Sequence, residues 1–254
     1  MSLLQSGREA PLEIAQEIPL AREMPPRIAA APTQVEPRPR RSHLLDRVMN
    51  VAIATTGLIL ASPLMVVAAA LVKLTSPGPI FYSQARVGID RRRPRNGQRS
   101  YDRRARDIGG CPFMIYKFRT MRADAERPNG AIWATQGDPR VTPIGAVMRK
   151  FRIDELPQLF NVIRGDMNIV GPRPERPSIF SRLCDDIAEY PQRQRAKPGI
   201  TGWAQINQSY DRNLDDVRSK VRYDLEYLQR QGVREDLKIM ARTVPVMIFR
   251  KGGW

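Results

Sequence analysis

Val48-Met-Asn-Val-Ala-Ile-Ala-Thr-Thr-Gly-Leu-Ile-Leu-Ala-Ser62-Pro63-Leu-Met-Val-Val-Ala-Ala-Ala-Leu-Val72 runs for 25 residues without a charge, bounded by Arg47 and Lys73. As a helix it is about 37 Å long, against a hydrocarbon core of about 30 Å. A helix exposed on a soluble domain keeps a polar side for water, and this stretch has none. Its middle holds Ser62-Pro63. Proline removes a backbone hydrogen bond and bends a helix, so the segment either spans with a bend or enters and returns as a helical hairpin. If it spans, the strongly basic portion after Lys73 is expected to stay cytoplasmic.

On the N-terminal side, residues 1–42 scatter Pro25, Pro26, Pro32, Pro37 and Pro39 among charges without apolar periodicity, and they read as a disordered tail. They lack the basic start, apolar core and small-residue site of a signal peptide. The whole chain has 254 residues, enough for one domain with accessory segments. Lys and Arg outnumber Asp and Glu by 42 to 26, a net charge of +16, which implies an acidic partner such as phosphate, anionic lipid or nucleic acid. The one histidine, His43, lies in a polar stretch, which argues against histidine-based catalysis and a histidine zinc site. Cys111 and Cys184 are far apart and signal neither a metal site nor a disulfide framework, as fits a reducing compartment.

Beyond the apolar stretch, Ser76-Pro77-Gly78-Pro79 ends the helix and Ile80-Phe-Tyr-Ser begins an extended run. Arg91 to Arg106 holds eight arginines and one acid and reads as a solvated loop against anionic headgroups. Only Tyr101 could stack on a base there, so a nucleic-acid surface is the weaker reading. Phe113-Met-Ile-Tyr-Lys117-Phe-Arg119-Thr-Met121 has strand composition, and alternation sets Lys117 and Arg119 on one face, where two cations can bracket a diphosphate. Toward the C-terminus, Leu214, Val217, Val221, Leu225 and Leu228 recur at helical spacing, as expected of a core helix. Leu237, Met240, Val244, Met247 and Ile248 repeat the pattern beside Lys238, Arg242 and Arg250; this second helix, ending near Phe249 and Trp254, is expected in the membrane interface.

The chemistry concentrates between Arg149 and Pro174. Asp154 and Glu155 are adjacent carboxylates among Arg149, Lys150, Arg152, Arg164 and Arg173, a composition suited to phosphate. Pro157 suits a helix's first turn and Asp154 the N-cap before it, so the dyad is expected to cap a helix whose free N–H groups attract anions. A lone Asp-Glu pair at a helix start is more often a plain capping pattern than a catalytic one.

Several ordered motifs resemble the bacterial sugar transferase family, the monotopic polyprenyl-phosphate phosphoglycosyl transferases. They are Ser62-Pro63, Arg86-Val-Gly88, Tyr116-Lys117-Phe118-Arg119-Thr-Met121, Asp138-Pro139-Arg140-Val-Thr, Asp154-Glu155-Leu-Pro-Gln-Leu-Phe-Asn161, Gly165-Asp166-Met167, Val170-Gly-Pro-Arg-Pro174 and Lys197-Pro-Gly-Ile-Thr-Gly-Trp-Ala-Gln205. The resemblance covers about His43 to Gly252. It implies transfer of a phosphosugar from a nucleotide diphosphate sugar, read as a UDP-sugar, to undecaprenyl phosphate, starting exopolysaccharide, capsule or glycan assembly. By the same resemblance Asp154 is the nucleophile, Glu155 its partner in catalysis, and both carboxylates hold Mg2+. Lys117, Arg119, Arg149, Arg173 and Glu175 are implied as substrate-binding, with Arg119 and Arg152 also open to reading as surface charges and Glu175 equally open to a capping or salt-bridge role.

The sequence departs from the family pattern at the arginine-rich stretch 91–109, which reads as an insertion. It departs again at Gln208-Ser209-Tyr210, where many small members have Gly-Arg and Arg212 is a candidate substitute. The N-terminal tail stands where large members carry further helices. The expectation is an α/β fold: a small membrane-associated catalytic domain at 76–254, a re-entrant helix at 43–75 broken at Ser62-Pro63, and interfacial amphipathic helices. It would sit on the cytoplasmic face of the bacterial inner membrane against anionic lipids, without nucleic acid, with downstream glycosyltransferases as further partners. A membrane-tethered basic binding protein for nucleic acid or anionic lipid is the rival reading. It explains the charge but not the dyad among ordered Gly and Pro motifs.

Overall fold

The computed structural model describes residues 43–90, 110–122, 125, 138–208 and 213–249. The tail at 1–42, the basic insertion at 91–109, Tyr210, Arg212 and Trp254 lie outside them.

Helix α1, His43–Thr75, is a single element of 33 residues, about 50 Å long. It runs through Ser62 and Pro63 without a break, so the expected division into two helices at that pair is corrected to one continuous helix. Two of the reasons a proline can be carried are on view. Ser62 Oγ donates to the Ile59 carbonyl at 2.8 Å, and the proline's side of the helix is exposed. Asn50, Ala54, Met65, Ala68 and Val72 are buried, with Gly57 and Ala61 half-buried between them, forming one stripe at helical spacing. Ile59, Leu60, Val66, Val67 and Leu74 are exposed, leaving most of the helix surface apolar and uncovered. Such a surface belongs in a membrane rather than in water.

The buried stripe docks on the domain along the whole helix. Arg47 donates to the carbonyls of Val162, at 2.6 Å, and Ile163; Asn50 Oδ1 accepts from the Ile169 N–H at 2.6 Å. A Cβ at Gly57 would meet Leu159 at 3.6 Å, in ordinary contact. Met65, Ala68 and Val72 then pack with Phe118 and Met148.

Strands β1, Phe81–Val87, and β2, Pro112–Phe118, pair antiparallel with Tyr82 opposite Lys117. Helix α2, Pro143–Lys150, starts at Thr142, whose side chain accepts from the Gly145 N–H. Helix α3, Gln158–Arg164, ends at Gly165 in the left-handed region, φ 92°, where glycine carries no side-chain penalty, and Arg47 sits over its last carbonyls. Strands β3, Asn168–Val170, and β4, Gly199–Thr201, pair in parallel. Gly171 follows β3 so closely against this pair that a Cβ there would lie 2.2 Å from the Lys197 carbonyl oxygen.

Helices α4, Pro177–Asp186, α5, Trp203–Asn207, α6, Leu214–Arg230, and α7, Val233–Phe249, complete the chain. Val217, Val221 and Leu228 of α6 are buried, two of them with Phe180, Leu183 and Tyr190 in one cluster. In α7 Ile239 is buried, whereas Leu237, Val244 and Met247 are exposed. Among the described residues the architecture is mixed α and β, mostly helical, with two small sheets and one long apolar helix.

Candidate functional site

Asp154 and Glu155 do not cap α3. They lie in a 3-10 turn, Ile153–Glu155, one turn upstream, and Pro157 occupies the N-cap of α3. The cause is the residue before the turn. Arg152 adopts φ 58°, ψ 19°, the left-handed region that costs a non-glycine residue about 1–2 kcal/mol. This reversal between α2 and the 3-10 turn drives both carboxylates inward, where each residue is only 7% exposed.

Glu155 is held by three cations. Its Oε1 accepts from Lys117 Nζ and Arg173 Nη2, each at 2.9 Å, and lies 3.4 Å from Arg152 Nη1. Burial alone would raise its pKa, but Arg173, Lys117 and Arg152 together hold the carboxyl well below the usual range. Burial also pulls the Lys117 ammonium below its ordinary value, against the attraction of Glu155. Asp154 moves the other way: burial pushes its pKa up, Lys117 opposes, and the neighbouring Glu155 charge adds to the rise. Its Oδ1 is buried without a hydrogen-bond partner. Adjacent carboxylates pushed apart in this way take different roles.

The other expected site residues divide. Arg149, in the last turn of α2, donates to Thr120 Oγ1 at 2.9 Å and acts on Asp154 through its charge. Arg119 does not share a strand face with Lys117, because β2 ends at Phe118. Its guanidinium instead donates to the carbonyls of Pro77 and Ser76 at 2.6 and 2.7 Å, bracing the turn after α1. Glu175 is engaged by another arginine: its Oε1 accepts from Arg86 Nη1 at 3.3 Å and from the Arg176 N–H at 3.1 Å. Burial opposes its ionisation, but Lys220 and Arg86 lower its pKa overall.

A second layer supports the cations. Arg193, fully buried, pairs with Asp224 at 2.6 Å and donates to the Arg173 carbonyl at 3.1 Å. Arg86 donates to the Pro174 carbonyl at 3.1 Å, so the Pro-Arg-Pro segment carrying Arg173 is gripped from behind. Asn161 of α3 is fully buried; it donates to the Met114 carbonyl at 2.7 Å and accepts from the Tyr116 N–H at 3.1 Å. That bond pair holds β2, and with it Lys117, against the helix following the dyad. Sequence reasoning did not single out Arg193, Asp224 or Asn161 for these tasks. Asn161→Leu is expected to strand the Met114 and Tyr116 backbone groups and cost about 2 kcal/mol, read from a denaturation midpoint in detergent. Arg218→Met, at the exposed pair with Asp215, should stay within about 0.5 kcal/mol, and equal losses at the two positions would refute this account.

Comparison with known proteins fits this arrangement of carboxylates and phosphate-suited cations. Residues 41–250 match the bacterial sugar transferase family. The chain belongs to that family. Among related bacterial sugar transferases is the UDP-N-acetylgalactosamine-undecaprenyl-phosphate N-acetylgalactosaminephosphotransferase of Aeromonas hydrophila, 39% identical over 82% of this chain and 45% of the relative. The UDP-glucose:undecaprenyl-phosphate glucose-1-phosphate transferase of Caulobacter vibrioides is 38% identical over 81% of this chain and 70% of its own length. Exopolysaccharide production protein ExoY of Sinorhizobium fredii is 37% identical over 82% of this chain and 87% of its own length. The chain thus spans less than half of the Aeromonas bacterial sugar transferase and most of the other two.

Proposed function

We propose that this bacterial sugar transferase moves the phosphosugar of a UDP-sugar to undecaprenyl phosphate in two displacements at Asp154. A carboxylate oxygen of Asp154 attacks the phosphorus bearing the sugar, and the bond to UMP breaks, UMP leaving with the electron pair. An oxygen of undecaprenyl phosphate then attacks the same phosphorus and frees the Asp154 carboxylate. The observation that carries this reading is the buried Asp154 oxygen without a partner beside a Glu155 whose Oε1 is engaged by Lys117, Arg173 and Arg152. Lys117 and Arg173 are placed to exchange part of their contact with Glu155 for phosphate oxygens, so the pocket holds its charge before substrate arrives. Relatives named for UDP-sugar and undecaprenyl-phosphate chemistry, and for exopolysaccharide production, support the substrates and the role in polysaccharide initiation.

Mg2+ fits the dyad in one way. Among the described residues no group of three or more His, Cys, Asp or Glu could hold a metal alone. Magnesium commonly takes one or two carboxylates and completes its shell with water and substrate phosphates. Asp154, with an unpartnered oxygen, and Glu155 are the residues that would hold it. When bound, it would supply neutralisation of the charge developing on the diphosphate. The chain's own part is to fix the carboxylates through the 3-10 turn and to keep Lys117 and Arg173 at the phosphates.

The test incubates the full chain in detergent with undecaprenyl phosphate and a panel of UDP-sugars. UMP must appear with one of them; release of UDP would mean that the sugar moves without its phosphate, and the reading would fail.

We further place the enzyme on the cytoplasmic face of the inner membrane, with α1 re-entrant and both of its ends cytoplasmic. Support comes from the docking of α1 on the domain from Arg47 to Val72, about 37 Å of helix. A helix crossing upright would drag domain backbone and polar side chains into hydrocarbon, where each unsatisfied group costs several kcal/mol. Ser62 and Pro63 stand at the exposed middle of this continuous helix, where proline's missing N–H weakens the backbone ladder and would let the helix bend in the membrane without dividing. Replacing both by leucine is expected to shift a fraction of molecules to a spanning form and lower turnover. A single cysteine near residue 10, in a chain lacking Cys111 and Cys184, reports it through a membrane-impermeant maleimide on intact cells. Efficient labelling of the chain with Ser62 and Pro63 intact would sink the re-entrant arrangement.

A further inference from the structure

Lys117, Arg173 and Arg152 are held by the Glu155 carboxylate, but the Nε–H of Arg149 donates to Thr120 Oγ1 at 2.9 Å, a neutral hydroxyl. A neutral acceptor fixes a guanidinium without cancelling its charge. Arginine carries its five donors in one rigid plane, so docking Nε sets the direction of the whole fork. The charge kept in this way reaches Asp154. Burial does most to raise the Asp154 pKa, and Lys117, Arg152 and Arg149 pull against it. Arg149 acts on Asp138 as well, but Arg140 does more there, its Nε and Nη2 donating to that carboxylate at 2.6 to 3.1 Å.

The seat under Arg149 is built from backbone. Buried Thr120 follows β2, and its carbonyl accepts from the N–H of Thr142, the N-cap of α2, at 3.0 Å. Gly145 lets the helix come closer still, since a Cβ there would lie 2.1 Å from the Thr120 carbonyl oxygen. Arg149 is four residues further along α2, on the same face as Gly145, so this close approach brings its Nε to Thr120 Oγ1. The carbonyl of Thr120 ties α2 down, and the hydroxyl serves Arg149. Only the second of these depends on the side chain.

We propose that Thr120 is a positioning residue for the phosphoryl transfer: its hydroxyl oxygen aims Arg149 at the sugar-bearing phosphate while Asp154 attacks. This rests on the reading of Asp154 as nucleophile and Arg149 as a phosphate-binding cation, and adds the residue that holds that cation in place. A loosely held arginine still attracts a diphosphate through its charge. Stabilising the transition state needs more, because the donors must already point where charge develops. Loss of the Thr120 oxygen therefore shows in kcat more than in KM.

The test uses the full chain in detergent with undecaprenyl phosphate and the UDP-sugar found active, and reads UMP release per folded molecule. Thr120→Val keeps the branched shape and removes the acceptor, Thr120→Ala also lacks it, and Thr120→Ser keeps the oxygen. Valine and alanine are each expected to lower kcat about 20-fold with KM changed less than about threefold. Serine is expected to recover kcat to within about threefold of the unaltered chain. The loss must also run through Arg149: in Arg149→Met, already slow, adding Thr120→Val should change kcat by less than about twofold. An unchanged kcat in Thr120→Val overturns the assignment, and a lowered melting temperature beside it would make Thr120 a structural residue. So does serine as slow as valine, or a full further loss on the Arg149→Met background, which would give Thr120 an effect independent of Arg149. If the unaltered chain releases no UMP with any UDP-sugar, the proposed reaction itself fails and takes this assignment with it.

Discussion

Asp154→Asn is expected to abolish the UMP burst, a loss of about 10⁴-fold or more, because an amide cannot form the covalent link that divides the reaction. The same substitution should leave the protein as stable as before, or more so. Burial pushes the Asp154 carboxyl toward its neutral form and its Oδ1 has no partner, so the site disfavours the charge that catalysis needs. A neutral isostere relieves that cost. Loss of activity with retained or raised melting temperature is the signature of a group kept for chemistry at the expense of stability. Labelled phosphosugar recovered on a peptide lacking residue 154 would reject the assignment. So would a burst surviving in Asp154→Asn.

The parts of this fold that were legible in the sequence are those set by local pattern. Twenty-five uncharged residues read as apolar helix, and the periodic Val217, Val221 and Leu228 of α6 are buried as their spacing requires. Ser62-Pro63 misled, because a proline on an exposed side of a helix needs no break in the chain to be carried. The N-cap expected at Asp154 failed for a similar local reason. Arg152 takes a left-handed conformation that no propensity assigns to arginine, and the 3-10 turn it launches moves the dyad upstream of α3.

The candidate site was legible as a composition and illegible as a geometry. Alternation is a rule for strands, and β2 ends one residue before Arg119, which turns to the carbonyls after α1 instead of joining Lys117. Arg152, open to reading as a surface charge, lies 3.4 Å from Glu155 across the 3-10 turn, three residues along. Asn161 and Arg193 owe their importance to partners 45 and 31 positions away, and no window along the chain contains both ends of such a bond. The Arg173 carbonyl gripped by Arg193 is a main-chain atom, invisible to any reading of side-chain types.

Glu155→Gln should behave as the opposite of its neighbour. Here the carboxylate is the counter-charge of Lys117, Arg173 and Arg152, and removing it costs the largely covered Lys117 its close partner, while Arg173 and Arg152 keep about a third of their side chains in water. Lys117 keeps its desolvation penalty and loses its close partner, whereas solvent screens the two arginines, so the cost is about 1–3 kcal/mol, below that of a fully buried pair. The melting temperature should therefore drop while that of Asp154→Asn does not. The orphaned cations also make a further difference measurable. Inorganic pyrophosphate is expected to bind the folded state through them, and a ligand that binds only the folded state stabilises it as its concentration exceeds the dissociation constant. Pyrophosphate should raise the melting temperature of Glu155→Gln by more than it raises that of the unaltered chain, since in the variant it meets no competing carboxylate. If Glu155→Gln proves as stable as Asp154→Asn and gains nothing extra from pyrophosphate, then Glu155 is not what holds the three cations together, and the division of labour between the two carboxylates falls with it.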